Sequence, residues 1–132
     1  MKNFHLQIVT PDGLFYDGDA QKVIVRSTTG DVCILANHTD YVTPLGMGEA
    51  RVTIDDKVRK AACIGGMISV IKGEVSLVPS TFEWAEDIDV NRAERSKEEA
   101  EKKIANAENR HQQAALEAKL KRALIRLEVA GK

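Results

Sequence analysis

The chain has 132 residues, which suits one domain or a small domain with an appendage. It is 43% hydrophobic and 30% charged, typical of a soluble folded protein, and its net charge of −1 excludes a global basic field that would attract nucleic acid. No run approaches the roughly 18 apolar residues of a membrane-spanning helix, and the N-terminus lacks a signal-peptide core, so we predict a cytoplasmic protein without bilayer insertion.

The first part of the chain, residues 1–82, has the pattern of short strands and tight turns. It contains eight of the nine glycines and all three prolines, residues that favour turns. The segment "FHLQIVT" alternates the apolar residues Phe4, Leu6 and Ile8 with residues of the other face, which is the period of a half-buried strand. Short strands at this spacing predict an all-β domain, either a sandwich or a barrel.

Two later stretches predict β-hairpins. "ARVTIDDKVRKAACI" has its expected turn at positions 55–57, and "MISVIKGEVSLV" has its expected turn at positions 72–74. Between them, "GG" at 65–66 predicts a place where the backbone turns or closely approaches another segment.

Residues 88–130 predict helix, because they contain no proline and no glycine and are dominated by Ala, Glu, Lys, Arg and Leu. Two apolar stripes run along them at helical spacing: Ala93, Ala100, Ile104 and Ala107, then Leu116, Leu120, Ala123, Leu124 and Leu127. A break is expected within 106–113, so the segment can fold back as a hairpin or extend as one helix of about 65 Å. Because the stripes are thin and rich in alanine, we expect the hairpin to be weakly held.

Folding this tail about position 108 brings Arg92, Arg122 and Arg126 to one level. Three guanidinium groups repel one another unless an anion lies among them. Neighbouring carboxylates could provide the negative charge, in a salt-bridged helix pair; the candidates are Glu83, Glu86, Asp87 and Asp89. A phosphate could also provide it, because arginine presents a planar fork of donors to phosphate oxygens. Both interpretations remain open from the residues alone.

Patterns for catalysis and metal binding are missing from the sequence. There is no GxxxxGK[ST] loop to cradle phosphates. His5, His38 and His111 lie far apart, without metal-ligand spacing. Cys33 and Cys63 stand alone without a CxxC pair, so we interpret both as small buried hydrophobic residues. With no recognisable nucleophile and base, we expect no catalysis by this chain alone.

Several segments, in order and at the right spacing, resemble one family. "LQIVTPDGLFYDG" opens the chain, and "GDVCIL" leads to "ANH" and "LGMG". "CIGGMISVIKGEVSLV" closes the strand region, and "DIDVNRA" begins the helices. Together these segments resemble the epsilon subunit of bacterial F-type ATP synthase over essentially the whole chain.

The resemblance implies an N-terminal β-sandwich of about ten strands, residues 1–84, that binds the gamma subunit and the c-ring. It implies a C-terminal antiparallel two-helix hairpin, residues 85–132, that regulates the complex. The subunit would be a non-catalytic part of the rotor, peripheral at the cytoplasmic face of the bacterial cell membrane, in a complex that couples ion flow to ATP synthesis. The tail would permit ATP hydrolysis when folded, and would inhibit it when extended towards the catalytic alpha/beta hexamer.

Some members of this family bind ATP on the folded hairpin, through an Ile/Leu-Asp-x-x-Arg-Ala motif, an acid just before it and two arginines of the second helix. The corresponding residues here are Glu83, Ile88, Asp89, Arg92, Ala93, Arg122 and Arg126. ATP, with or without Mg²⁺, would then be a regulatory ligand, and no cofactor or metal would be required. One departure is Glu99, which stands where such members can carry a further arginine.

Asp89 and Arg92 have different expected roles. The Asp89 carboxylate can accept orphan backbone N–H groups, so we predict that it caps the first helix. Arg92 has no capping role, and we predict that it contacts phosphate.

The resemblance also places a c-ring contact loop at Asp31 and His38. Near it, Ala36, Asn37 and Asp40 depart from the Pro-Gly and Pro that the family more often has.

Two alternatives to an ATP-sensing rotor subunit remain. The first is the same rotor subunit with a tail that does not sense nucleotide and whose arginines only make salt bridges. The second is a free-standing β-sandwich adaptor, which would copurify with a partner other than the synthase.

Overall fold

The computed structural model describes residues 2–131, in which ten β-strands are followed by two α-helices. The strands are β1 (Phe4–Thr10), β2 (Gly13–Ala20), β3 (Lys22–Ser27), β4 (Gly30–Leu35), β5 (Tyr41–Pro44), β6 (Met47–Ile54), β7 (Lys57–Ile64), β8 (Met67–Ile71), β9 (Glu74–Val78) and β10 (Thr81–Trp84). The helices are α1 (Val90–Ile104) and α2 (Arg110–Val129), preceded by a short 3₁₀ turn at Ala85–Asp87. The chain separates into two compact units, Met1–Trp84 and Ala85–Lys132.

The first unit is a β-sandwich of two five-stranded sheets. One sheet has the strand order β2-β1-β9-β8-β5, and the other has the order β10-β7-β6-β3-β4. Buried side chains of both sheets form a single hydrophobic core. The choice between sandwich and barrel, which the sequence left open, is therefore decided for the sandwich. The prediction of a ten-stranded sandwich followed by a two-helix hairpin is confirmed.

The predicted alternation of β1 is confirmed. Phe4, Leu6 and Ile8 are buried, and the residues between them are partly exposed. Because successive side chains of a strand point to opposite faces, one face of β1 packs into the core and the other faces out.

Both predicted hairpins are present. β6 and β7 are joined by Asp55 and Asp56, at φ 51° and 64°, and β8 and β9 are joined by Lys72 and Gly73, at φ 50° and 80°. Two successive central residues with positive φ characterise a two-residue turn whose twist matches that of the flanking strands.

The predicted close approach at the glycine pair is also confirmed. Gly66 has φ +98°, and a Cβ atom placed there would lie 2.0 Å from the carbonyl oxygen of Val78. A side chain is therefore excluded at this position both by backbone conformation and by space.

The prediction that both cysteines are buried is right for Cys63 and wrong for Cys33. Cys63 lies in the core, and burial raises the pKa of its thiol to about 12. Cys33 is exposed, because the alternation of β4 turns Ile34 into the core and Cys33 to the outer face. Both thiols are free.

The second unit is the predicted helical hairpin, with its break between Ile104 and Arg110. Its helices bury five side chains, which are Ala93, Ala100, Ala123, Leu127 and Val129. Three of the five are alanines. The predicted stripe of α2 is wrong at Leu124, which is 44% exposed, because Ala123 takes the inward position beside it. Neither α1 nor α2, the helices of the described chain, is long and apolar enough to span a membrane.

Candidate functional site

The N-terminus of α1 is built by Asp89, and the predicted cap is confirmed. Asp89 has extended backbone, φ −77° and ψ 94°, and its Oδ1 accepts a hydrogen bond of 3.0 Å from the backbone N–H of Arg92. One of the orphan donors of the first turn is thereby satisfied. Ile88 and Ala93, on either side of this cap, are buried, whereas the Arg92 side chain is exposed.

The register between the helices is marked by an ion pair. Glu99 of α1 lies 3.4 Å from the ammonium of Lys119 on α2 and 2.7 Å from that of Lys103, one turn further along α1. The hydrogen bond from Lys103, followed by that from Lys119, lowers the pKa of the Glu99 carboxyl. Positions 99 and 119 are centred on 109, one residue from the fold point of 108 expected from the sequence.

Counting outward from this pair shows how the arginines are arranged along the hairpin. Position 92 comes level with position 126, and Arg122 lies one helical turn from Arg126 on the same helix. Arg122 and Arg126 are partly buried. Antiparallel helices thus carry Arg92 and Arg126 at the same end of the hairpin, where the N-terminus of α1 favours negative charge and the last turn of α2, which contains Arg126, favours positive charge.

Of the seven residues of the predicted nucleotide site, one belongs to the first unit, the sandwich. Glu83 lies on β10, paired in register with Ala62 of β7, and is partly exposed. The second unit itself carries the other six: Ile88, Asp89, Arg92, Ala93, Arg122 and Arg126.

The two residues predicted for a c-ring contact loop lie at opposite ends of one strand. Asp31 is not in a loop: it is the second residue of β4, and its carboxylate pairs with Arg26 of β3 at 2.7 Å. His38 follows the end of β4. Its Nδ1–H donates a hydrogen bond of 2.7 Å to the Thr39 carbonyl, and its ring lies 5.9 Å from that of Tyr41 between centroids. They therefore do not form a single loop.

One side-chain cluster was missed by the sequence analysis. His5 of β1 contacts both Asp17 of β2 and Glu74 of β9. No local spacing signals it, because Glu74 lies 69 residues further along the chain. Among residues 2–131, no group of three or more His, Cys, Asp and Glu side chains is arranged to hold a metal ion.

Comparisons with known proteins match both units. Residues 3–85 match the family model described as the β-sandwich domain of the ATP synthase delta/epsilon chain, and residues 86–131 match that of its long α-helix domain. The chain belongs to this ATP synthase family.

Relatives named ATP synthase epsilon chain support this over the full length. The relative from Caldanaerobacter subterraneus subsp. tengcongensis is 39% identical, with 99% of this chain and 96% of the relative covered. The relative from Ruminococcus albus is 38% identical, with 100% and 99% covered. The predicted epsilon family is therefore confirmed, and with it the expectation of a non-catalytic stalk subunit, while a free-standing adaptor is not supported.

The fold is shared with more distant ATP synthase chains. A chain from the Euglena gracilis mitochondrial ATP synthase, in a structure of OSCP, F1 and c-ring, superposes with a TM-score of 0.83 at 22% identity, covering 98% of this chain and 82% of that one. A chain from the Tetrahymena thermophila central stalk and c-ring superposes with a TM-score of 0.71 at 9% identity, covering 98% and 97%.

Proposed function

We propose that this epsilon chain works in the central rotor of an F-type ATP synthase, bound to the gamma subunit and the c-ring and peripheral at the cytoplasmic face of the membrane. Support comes from full-length relatives named epsilon chain and from similar folds in structures titled with F1, c-ring and central stalk. In this place the subunit couples ion flow to ATP synthesis, and its tail inhibits hydrolysis when it extends towards the alpha/beta hexamer.

We further propose that the folded hairpin binds ATP as a regulatory ligand. The observation that carries this proposal is the helix register set by the Glu99–Lys119 pair, from which positions 92 and 126 come to one level near the N-terminus of α1, with Arg122 one turn from Arg126. Arginine forks and a helix N-terminus both favour phosphate oxygens. Ile88 and Ala93 give the site an apolar floor, and Asp89 keeps the first turn capped.

Weak packing makes the hairpin a suitable element for such regulation. Alanines form most of its buried helix contacts, so the folded state gains little from apolar burial. A ligand that binds only the folded hairpin stabilises it by mass action, in proportion to the logarithm of its concentration over its Kd. ATP would therefore hold the tail in its folded state, and loss of ATP would release it.

Glu99 bears on the strength of binding rather than on its existence. Its carboxylate is engaged by Lys103 and Lys119, so it serves the helix pair where an arginine would serve a phosphate. We therefore expect weaker binding than in relatives that carry arginine at this position.

The test is a calorimetric titration of the full chain with ATP, with and without Mg²⁺. Saturable binding that Arg92→Ala and Arg126→Ala both weaken by about tenfold or more is expected, since each removes a charged hydrogen-bond donor to phosphate. Arg95→Ala is the matched control, because Arg95 is an exposed arginine of the same helix outside the motif. Helical circular dichroism of each variant separates lost binding from lost hairpin.

Absence of binding at millimolar ATP would leave the alternative of a structural tail, in which the arginines serve only the helix pair. The inhibitory role is tested separately, by deleting residues 88–132 and measuring ATP hydrolysis by the assembled complex. Faster hydrolysis is expected. An unchanged rate would contradict inhibition without bearing on ATP binding.

A further inference from the structure

The outer face of the sandwich carries a histidine held between two acids. His5 lies on β1, with β2 on one side and β9 on the other. Its Nε2 contacts Oδ1 of Asp17 on β2, and its Nδ1 contacts Oε2 of Glu74 on β9. The His5 side chain is 40% exposed, so bulk protons reach it.

The protonation state of His5 follows from the number of donors needed. An ionised carboxylate only accepts hydrogen bonds, and a neutral imidazole has a single N–H, whereas the imidazolium has two. Both contacts can be satisfied together only when His5 carries both protons. In the neutral ring, one bare nitrogen would face a carboxylate oxygen and the two would repel.

The charged residues of the two strands that flank His5 are all acidic. β2 contributes Asp17 and also Asp19, which is the register partner of His5, and β9 contributes Glu74. Neither strand contains lysine or arginine in its sequence, "GLFYDGDA" and "EVSLV". An opposite charge at His5 is therefore the direct local compensation for these carboxylates.

The cluster of His5, Asp17 and Glu74 lies where the β1–β2 hairpin pairs with the rest of its sheet. β1 and β2 form an antiparallel hairpin, and this hairpin joins the rest of its sheet through the parallel pairing of β1 with β9. That pairing consists of three residue pairs, starting at Leu6 with Val75, next to His5 and Glu74. A contact from Glu74 through His5 to Asp17 crosses all three strands.

We propose that His5, as an imidazolium, is a pH-dependent clamp that joins the β1–β2 hairpin to β9 through Asp17 and Glu74. This proposal concerns the sandwich alone and does not rest on ATP binding by the hairpin.

The direction of the pH dependence follows from the two shifted groups. The hydrogen bond to Asp17, and then that to Glu74, raise the pKa of His5 above 6.5, so the clamp is complete below pH 6.5 and is lost as pH rises through the raised value. The hydrogen bond from His5 lowers the pKa of Asp17 below 3.8, so on the acid side the contact is lost only as pH falls through that lowered value.

The first test is an NMR titration of the His5 ring in the full chain. His5 is expected to titrate above the same ring in the urea-unfolded protein. Asp17→Asn is expected to bring it down most and Glu74→Gln less, since each replaces an acceptor charge by a neutral amide of the same shape. An unshifted His5, or a shift that neither variant reduces, would overturn the proposal.

The second test measures the stability of the pairing between β1 and β9 by amide hydrogen exchange. Protection factors are corrected for the intrinsic pH dependence of exchange. Between about pH 6 and pH 8.5, the amides that pair β1 with β9 are expected to lose roughly two- to five-fold in protection, as befits an exposed ion pair. The β6–β7 ladder of the other sheet is the internal control. Loss of the pH effect in Asp17→Asn would support the clamp, and an equal pH effect in both ladders would refute it.

Discussion

The sandwich and the hairpin of this epsilon chain differ in what they bury. The largest fully buried side chains of the chain all belong to the sandwich, and they include Leu6, Ile8, Ile34, Ile68 and Leu77. The helices bury mainly alanine. Since each buried methylene contributes about 0.8 kcal/mol, apolar burial stabilises the sandwich more than the hairpin, so caps and ion pairs contribute a larger share of the stability of the hairpin. The buried side chains thus distinguish a strongly packed unit from a weakly packed one.

The largest effect is expected in the sandwich core. Leu6→Ala should lower the free energy of unfolding by about 3 kcal/mol, because it leaves a cavity at a fully buried site. Urea unfolding followed by the fluorescence of Trp84, the single tryptophan, measures it. Leu35→Ala on the outer face of β4 is the control and should change stability by less than about 0.5 kcal/mol. Equal effects of the two changes would contradict the described core.

A smaller effect is expected in the hairpin. Leu127→Ala removes the largest helix side chain that is buried there, and should cost the folded hairpin about 2 kcal/mol. Loss of helical circular dichroism on mild heating measures it. Leu124→Ala, three residues away and 44% exposed, should leave helicity nearly unchanged. A larger effect of Leu124→Ala than of Leu127→Ala would contradict the described packing of α2, in which Leu127 is buried and Leu124 is exposed.

The cap of α1 should contribute less again. Asp89→Ala should destabilise the first turn by about 1 kcal/mol, because the Arg92 amide loses its acceptor. Faster hydrogen exchange of that amide measures it. Asp89→Asn keeps the cap and removes the charge, so it should leave exchange nearly unchanged. Any effect of Asp89→Asn on ATP binding would then report on the ligand and not on the cap.

The smallest effect is expected at the exposed Glu99 ion pair. The pKa of the Glu99 carboxyl is lowered, chiefly by the hydrogen bond from Lys103. The contribution of the ion pair to the stability of the hairpin is therefore present above pH 4.5 and is lost as pH falls through the lowered pKa. Helicity of the hairpin should therefore decline slightly on acidification, and Glu99→Gln should remove part of that decline. Glu98→Gln, at the neighbouring exposed position, is the control. An identical decline in both variants would mean that the interhelical pair contributes nothing measurable.

Local sequence signals determined the elements of this protein. Alternation placed Phe4, Leu6 and Ile8 on the inner face of β1, because side chains of a strand alternate whatever the strand packs against. Turn residues placed both hairpins, and the Asp89 cap depended only on residues within one helical turn. Helical spacing and the family motif identified the arginines of the candidate site. Their position along the hairpin could be predicted from the sequence by assuming that the tail folds back near residue 108.

Only the tertiary structure decided which faces meet and which distant strands pair. Cys33 and Cys63 look alike in sequence, and they differ because β4 and β7 turn them to opposite faces of one sheet. Leu124 is exposed and Ala123 is buried, although leucine is the more hydrophobic residue. Which of two neighbouring helix positions is buried depends on the surface that the helix packs against. The parallel pairing of β1 with β9 joined His5 to Glu74 across 69 residues. Non-local pairing leaves no local pattern, because the chain between two paired strands can have almost any sequence.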